Sequence, residues 1–276
     1  MKSRINGADL HWQEAGEGDA VVFIHGFPFH SGLWTDQMTA LPAGFRGIAP
    51  DLRGFGESSA PGHGPLTMDQ HADDIAAILD HLGIGQAVIC GLSMGGYIAF
   101  SLFRRHRDRV RALVLAATRS AADSPEAKQG RAAMARDVLN QGTSAAVHAM
   151  LPKLLSDITP KTHPEVVDRV RALIEANRPE PIARAQEGMA LRADSSDLLR
   201  EIAVPTLVIH GEDDLIVPRG EAQLMARGIR GARIELLERA GHMVNLEDPA
   251  AFNRLLKEFL EYLPPTLELK SFQLGR

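Results

Sequence analysis

An α/β protein with a mostly parallel sheet wrapped by helices is what this chain predicts, on three observations. Short apolar runs recur between Gly and Pro residues, at 21–24, 47–49, 87–90, 112–116, 206–209 and 234–237. Most are apolar throughout rather than alternating, as strands covered on both faces must be. Helical patterns fall between them, and strands that alternate with helices build parallel sheets.

The chain opens on Asn6-Gly7 between extended stretches at 2–5 and 8–13, a hairpin signal that gives the sheet an antiparallel beginning. A helix is predicted over 68–82, where Ile75, Ile78, Leu79 and Leu82 share one face, and others over 95–105 and 249–263. Asp248 caps the last of these, Pro249 suits its first turn, and Pro264-Pro265 stops it.

Between Arg119 and Asp197 the alternation breaks, leaving helical periods punctuated by Pro125, Pro152, Pro160, Pro164, Pro179 and Pro181, with no Phe, Trp or Tyr. A helical insertion on the side where parallel strands end would roof the functional edge of the sheet. The expected organisation is a core of residues 1–118 and 197–265, a helical lid at 119–196 and an aperiodic tail at 266–276.

Composition narrows the partners. With 276 residues, 45% hydrophobic and 24% charged, the chain reads as an ordinary globular protein able to bury a core. A net charge of -5 argues against nucleic acid as a partner. Arg104, Arg105, Arg107, Arg109 and Arg111 crowd together, but at a helix end, where cations complement the dipole and stay solvated. The single cysteine, Cys90, ends an apolar strand and reads as a buried small hydrophobe. The first twelve residues hold no apolar signal core, and no stretch nears the ~20 apolar residues that span a bilayer, so the expectation is a cytoplasmic protein with no membrane partner.

The chemistry is expected at Gly91-Leu92-Ser93-Met94-Gly95, between an apolar strand and a helix. A sharp strand-to-helix turn forces its central residue into an unfavourable backbone conformation and leaves no room for side chains two positions away, which Gly91 and Gly95 satisfy. The turn lifts the Ser93 hydroxyl clear of the sheet beside a helix N-terminus that favours negative charge. The alternative is a tight turn in which Ser93 only caps the helix. A nucleophilic serine needs a base, and the base needs a partner to orient it. Gly211-Glu212-Asp213-Asp214 and Gly241-His242 each follow a late apolar run, and so fall on the same sheet edge as Ser93.

In chain order these residues run serine, acid, histidine, and the chain resembles the α/β-hydrolase fold superfamily. Four blocks carry the resemblance: His25-Gly26-Phe27-Pro28, Asp51 to Ser58, Gly91 to Gly96, and Gly211 to Pro218 with Gly241-His242. The resemblance implies an eight-stranded sheet with helices on both faces. Its pattern Gly-x-x-Asp-x-x-x-Pro aligns the acid with Asp214 rather than Asp213, and makes His242 the base. It also implies an oxyanion hole of the Met94 and Phe27 N–H groups, and a structural or pocket-lining role for His25 and His30. The side chains of Phe27, Phe29, Trp34 and Met94 either wall an acyl pocket or belong to the core, and Asp51 to Ser58 are expected to buttress the first loop through Arg53 and its glycines. Met134, Leu139, Met150, Leu154, Leu173 and Met189 either face that pocket or pack the lid together.

The expected reaction is two-step acyl transfer from an ester or lactone to water, with no metal or organic cofactor. Segments 91–97 and 112–118 resemble the branch holding enol-lactonases, aryl esterases and cofactor-free haloperoxidases or perhydrolases. Carbon-carbon bond hydrolysis, peracid formation and acyl transfer to another alcohol are the enzymatic rivals. A ligand sensor that keeps the fold without turnover is the alternative of another class. Epoxide hydrolase and dehalogenase chemistry is disfavoured, since it needs a carboxylate where Ser93 stands.

Overall fold

Asn6 and Gly7 take positive φ, +47° and +74°, and so turn β1 (Lys2–Ile5) back on β2 (Ala8–Gly16) as an antiparallel hairpin. The computed structural model describes residues 1–264; the tail expected at 266–276 lies outside the described residues. The sheet continues with β3 (Asp19–Ile24), β4 (Phe45–Pro50), β5 (Ala87–Leu92), β6 (Val110–Ala116), β7 (Thr206–Gly211) and β8 (Arg233–Leu237). Its eight strands lie in the order β1-β2-β4-β3-β5-β6-β7-β8. β2 pairs antiparallel with β4, and every pairing from β4 to β8 is parallel.

All six residues of β5 and all six of β7 are buried, so both faces of the central sheet are covered. The described helices are α1 (Thr35–Thr39), α2 (Met68–His81), α3 (Met94–Arg105), α4 (Pro125–Gln141), α5 (Thr143–Leu154), α6 (Thr159–Thr162), α7 (Pro164–Glu175), α8 (Pro179–Ala190), α9 (Arg219–Gly228), α10 (Val244–Glu247) and α11 (Pro249–Tyr262). α2 packs on α3, and α1 on α11. Asp248 caps α11 by accepting the Ala251 N–H at 2.9 Å, as its sequence requires. No described helix is long and apolar enough to cross a membrane.

Helices α4 to α8 occupy the interval between β6 and β7 and pack largely on one another, α4 against α8 and α5, and α5 against α7. Polar ties and close contacts hold this insertion to the loops of the core. Asn177 donates to the Pro28 carbonyl at 2.9 Å and accepts the Gly56 N–H at 2.9 Å. Gly188 on α8 lies so close to the preceding loop that an added Cβ would sit 1.7 Å from the Leu66 carbonyl oxygen.

The arginine group after α3 is engaged: Arg105 pairs with Asp73, Arg107 with Glu201, Arg109 with Asp80 and Arg111 with Asp19. Cys90 is fully buried, and burial pushes its thiol well above the ordinary range.

Candidate active site

Ser93 is the single residue between β5 and α3, and its backbone sits at φ +55°, ψ −113°. A non-glycine residue there carries about 1–3 kcal/mol of strain, held by its surroundings. Those surroundings demand glycine. A Cβ on Gly91 would lie 2.3 Å from the Gly95 carbonyl oxygen, and one on Gly95 would lie 2.2 Å from that of Ile24. Thr118 fixes the turn by donating its hydroxyl to the Ser93 carbonyl at 2.8 Å. Ser93 makes no side-chain capping bond to its helix, so the capping alternative does not describe this turn.

The loops after β7 and β8 bring an acid and a base to the same edge. Nδ1 of His242 donates to Oδ2 of Asp214 at 2.8 Å. Oδ1 of Asp214 accepts the N–H groups of Ile216 at 2.8 Å and Val217 at 2.9 Å. Burial raises the pKa of this carboxyl, but the charge and hydrogen bond of His242, with the Val217 N–H, outweigh burial and hold it below the ordinary value. Asp214 therefore stays ionised and can only accept, which puts the imidazole proton on Nδ1 and leaves Nε2 with its lone pair. Asp213 is exposed and points to no such partner, whereas Asp214 is buried.

Ser93, His242 and Phe27 line one cavity of about 420 Å³, within the size range of small-molecule sites. Met94 is fully buried at the start of α3 and its side chain does not reach the cavity wall. Among the described residues, neither the Phe27 nor the Met94 N–H donates to a protein acceptor. The loop carrying Phe27 is braced from behind: the Leu52 N–H donates to Nε2 of His25 at 3.0 Å, and Nδ1 of His25 donates to the Gly26 carbonyl at 2.9 Å. His30 caps the short turn that follows by accepting the Gly32 N–H at 3.2 Å.

Phe29 and Trp34 are not pocket residues: both are fully buried in the core. After the turn closed by the Phe29 N–H on the Gly26 carbonyl, the chain runs back into the protein, and Trp34 packs on Phe23 and Phe252 at ring separations of 5.3 and 5.9 Å. The segment Asp51 to Ser58 does brace the first loop, but not through Arg53. Arg53 holds Asp74 of α2 and the Asn6 carbonyl, and Asp51 braces the loop instead, accepting the Ser31 N–H at 2.8 Å. Of the insertion's aliphatic residues, Met134, Met150 and Met189 line the cavity; Leu154 and Leu173 pack in the core, and Leu139 is exposed.

Sequence reasoning missed Tyr97, Arg119, Arg131, Lys153, Gln186, Leu215 and Ile216 among the cavity's lining residues. Leu215 and Ile216 adjoin Asp214, so their proximity was available from the motif. Tyr97 stands one helical turn after Ser93 on α3 and was equally near the motif; the others depend on how the insertion packs.

A sequence model of the alpha/beta hydrolase fold matches residues 19–249. The chain is 30% identical over 256 residues to the 3-oxoadipate enol-lactonase 2 of Acinetobacter baylyi, covering 91% of this chain and 93% of that protein. Among solved structures, it is similar to a thermophilic esterase from Thermogutta terrifontis with malate bound, at 40% identity and a TM-score of 0.91, covering 95% of this chain and 98% of that one. It is also similar to the enol-lactonase of Burkholderia xenovorans LB400, at 32% identity and a TM-score of 0.87, covering 95% of this chain and all (100%) of that one.

Proposed function

The chain belongs to the α/β-hydrolase fold family, and from that premise we propose that it is a serine hydrolase of carboxylic esters, lactones included, working through an acyl-enzyme on Ser93. The observation that carries the proposal is the shared cavity. A strained, uncapped Ser93 and the imidazole of His242 open into it, with Asp214 hydrogen-bonded behind the imidazole at 2.8 Å.

In this reading Ser93 Oγ attacks the substrate carbonyl carbon while Nε2 of His242 takes its proton. Asp214 stabilises the imidazolium that forms and keeps its Nδ1 proton directed away from the serine. The negative charge on the carbonyl oxygen meets the N–H groups of Phe27 and Met94, each donor contributing about 3–4 kcal/mol to the transition state. Collapse breaks the bond to the alkoxy oxygen, which leaves as the alcohol with the proton from His242. Water then repeats the attack on the acyl-enzyme, and Ser93 regains its proton. The insertion of α4 to α8 acts as a lid whose inner surface selects the acyl group. The similarity to an esterase and to enol-lactonases supports this chemistry over transfer to other acceptors.

The test is steady-state hydrolysis of short-chain p-nitrophenyl esters. Many turnovers per molecule are expected, with an acyl adduct on Ser93 trapped at low pH and none in Ser93→Ala. Tight ester binding with a single slow turnover would identify a sensor instead.

A further inference from the structure

The cavity has a pronounced charge asymmetry. Arg119, Arg131 and Lys153 line it beside Ser93 and His242, and none of its lining residues is acidic. They converge from three places: Arg119 from the loop after β6, Arg131 from α4 and Lys153 from α5. Resting on the ester-hydrolase reading, we propose that this wall is an anion subsite and that the substrates are esters or lactones bearing a free carboxylate away from the scissile bond.

The charges behind the wall leave it short of negative partners. Asp123, with a fully buried side chain, is shared by three guanidinium groups: Arg192 at 2.8 Å, Arg119 at 3.4 Å, and Arg131. Glu221 is the second carboxylate whose field reaches Arg119. Lys153 forms no ion pair among the described residues. Three guanidinium groups thus share Asp123, with Glu221 near Arg119 and Asp194 near Arg192, while Lys153 has no carboxylate partner among the described residues. The positive field holds the Asp123 carboxyl at about 2, overcoming the burial that alone would raise it.

An unbalanced cation in open water is simply solvated, but this wall is partly withdrawn from water. The side chains of Arg119 and Arg131 are 23% and 16% exposed, and the Nε of Arg119 is buried without an acceptor, whereas Lys153 is exposed and adds its charge from the solvent side. Arg131 is also pre-oriented: Asp123 holds one edge of its guanidinium, and Gln186 Oε1 accepts from Nη1 at 3.0 Å. With Nε and Nη2 on Asp123 and Nη1 on Gln186 and the Met189 sulfur, this guanidinium brings a fixed charge and its remaining N–H to a cavity with methionine walls, which suits a carboxylate on a short aliphatic chain. Neutral esters of the same length would leave that charge and N–H facing water or methylene groups.

The experiment compares monomethyl glutarate with methyl pentanoate, which has the same chain length and no second carboxylate, by methanol release. The wild-type kcat/KM is expected to favour the hemiester by about tenfold or more at low salt, as a charge-assisted contact predicts. Added KCl should shrink that preference. Lys153→Gln and Arg119→Gln should each lower the ratio, and Lys153→Glu should lower it further. Arg131→Gln releases a partner of buried Asp123 and can lose the fold, so the Lys153 variants carry the test. A wild-type ratio of one or less, or a ratio indifferent to both Lys153→Gln and Arg119→Gln, overturns the subsite while leaving the ester reading intact. Calorimetric titration of monomethyl glutarate into Ser93→Ala separates the two claims. Salt-sensitive binding that weakens with added Lys153→Gln, without turnover of either ester by the wild type, would retain the subsite and sink the ester reading.

Discussion

One oxygen of the Glu247 carboxylate accepts the N–H of Gly241, the residue before His242, at 2.8 Å. Its other oxygen accepts the Ser156 N–H at 2.8 Å and the Thr159 hydroxyl at 2.6 Å. One half-buried side chain therefore joins the loop of the proposed base to the insertion, and desolvation raises its pKa despite these donors. Glu247→Ala leaves two backbone N–H groups without acceptors, at about 1–3 kcal/mol each. The melting temperature and kcat should both fall, and Glu247→Gln, which keeps one carbonyl acceptor, should fall between that variant and the wild type. Wild-type behaviour of Glu247→Ala in both measurements would mean that the bridge positions nothing.

The proposed triad predicts a ranking as well as losses. Ser93→Ala and His242→Ala should each reduce kcat by about a million-fold, Ser93→Ala without lowering the melting temperature. Asp214→Asn should cost far more activity than Asp213→Asn, because only Asp214 bonds the imidazole. Equal losses from the two asparagine variants would show that the acid lies elsewhere.

How much of this was legible in the sequence follows from what kind of contact each feature needs. The strands and the Ser93 turn are local: apolar runs, the Asn6-Gly7 turn and the glycines at 91 and 95 impose their geometry within a few residues. Asp214 and His242 were legible because each lies in the loop after a strand of one parallel sheet, which sends them to a common edge. Phe29 and Trp34 were misplaced because an apolar residue beside a motif suits a pocket wall and a core equally well. The deciding fact is the backbone reversal at Gly26 to Phe29, which composition does not encode. Arg119, Arg131 and Lys153 look like solvated surface charge along the chain, and only the packing of α4, α5 and α8 turns them toward one cavity.

Close backbone approach at the insertion gives a stability prediction. An alanine Cβ at Gly188 would overlap the Leu66 carbonyl oxygen at 1.7 Å, and neither backbone segment can yield freely because the Leu66 N–H is bonded to the Arg184 carbonyl at 3.0 Å. Gly188→Ala should cost about 2 kcal/mol or more, the range of overpacking. Gly220→Ala is the control: it lies in α9 with nothing within 4 Å of an added Cβ, and should stabilise by about 0.5–1 kcal/mol through helix propensity. Urea denaturation of the two variants should give opposite signs, and a matching loss in both would locate the cost in something other than the Leu66 contact.

Acid sensitivity should come from buried histidines that the reaction does not use. His71 on α2 is fully buried, neither ring nitrogen has a partner, and burial, followed by the positive charge of His25 and Arg53, lowers its pKa from 6.5 to about 3. Burial likewise lowers His25 to about 4. The unfolded chain binds these protons near pH 6.5 and the folded protein does not, so each histidine subtracts stability as pH falls from 6.5 toward its folded value. The slope is about 1.4 kcal/mol per pH unit for each. His71→Leu removes one of these titrations and two unpaired polar atoms while keeping a good helix former in α2. Urea denaturation from pH 7 to pH 5 should then show a shallower loss of stability than the wild type, with the gain of the variant growing as pH drops. A gain that stays constant across that range would mean that His71 is already protonated in the folded protein, or that it keeps an ordinary pKa.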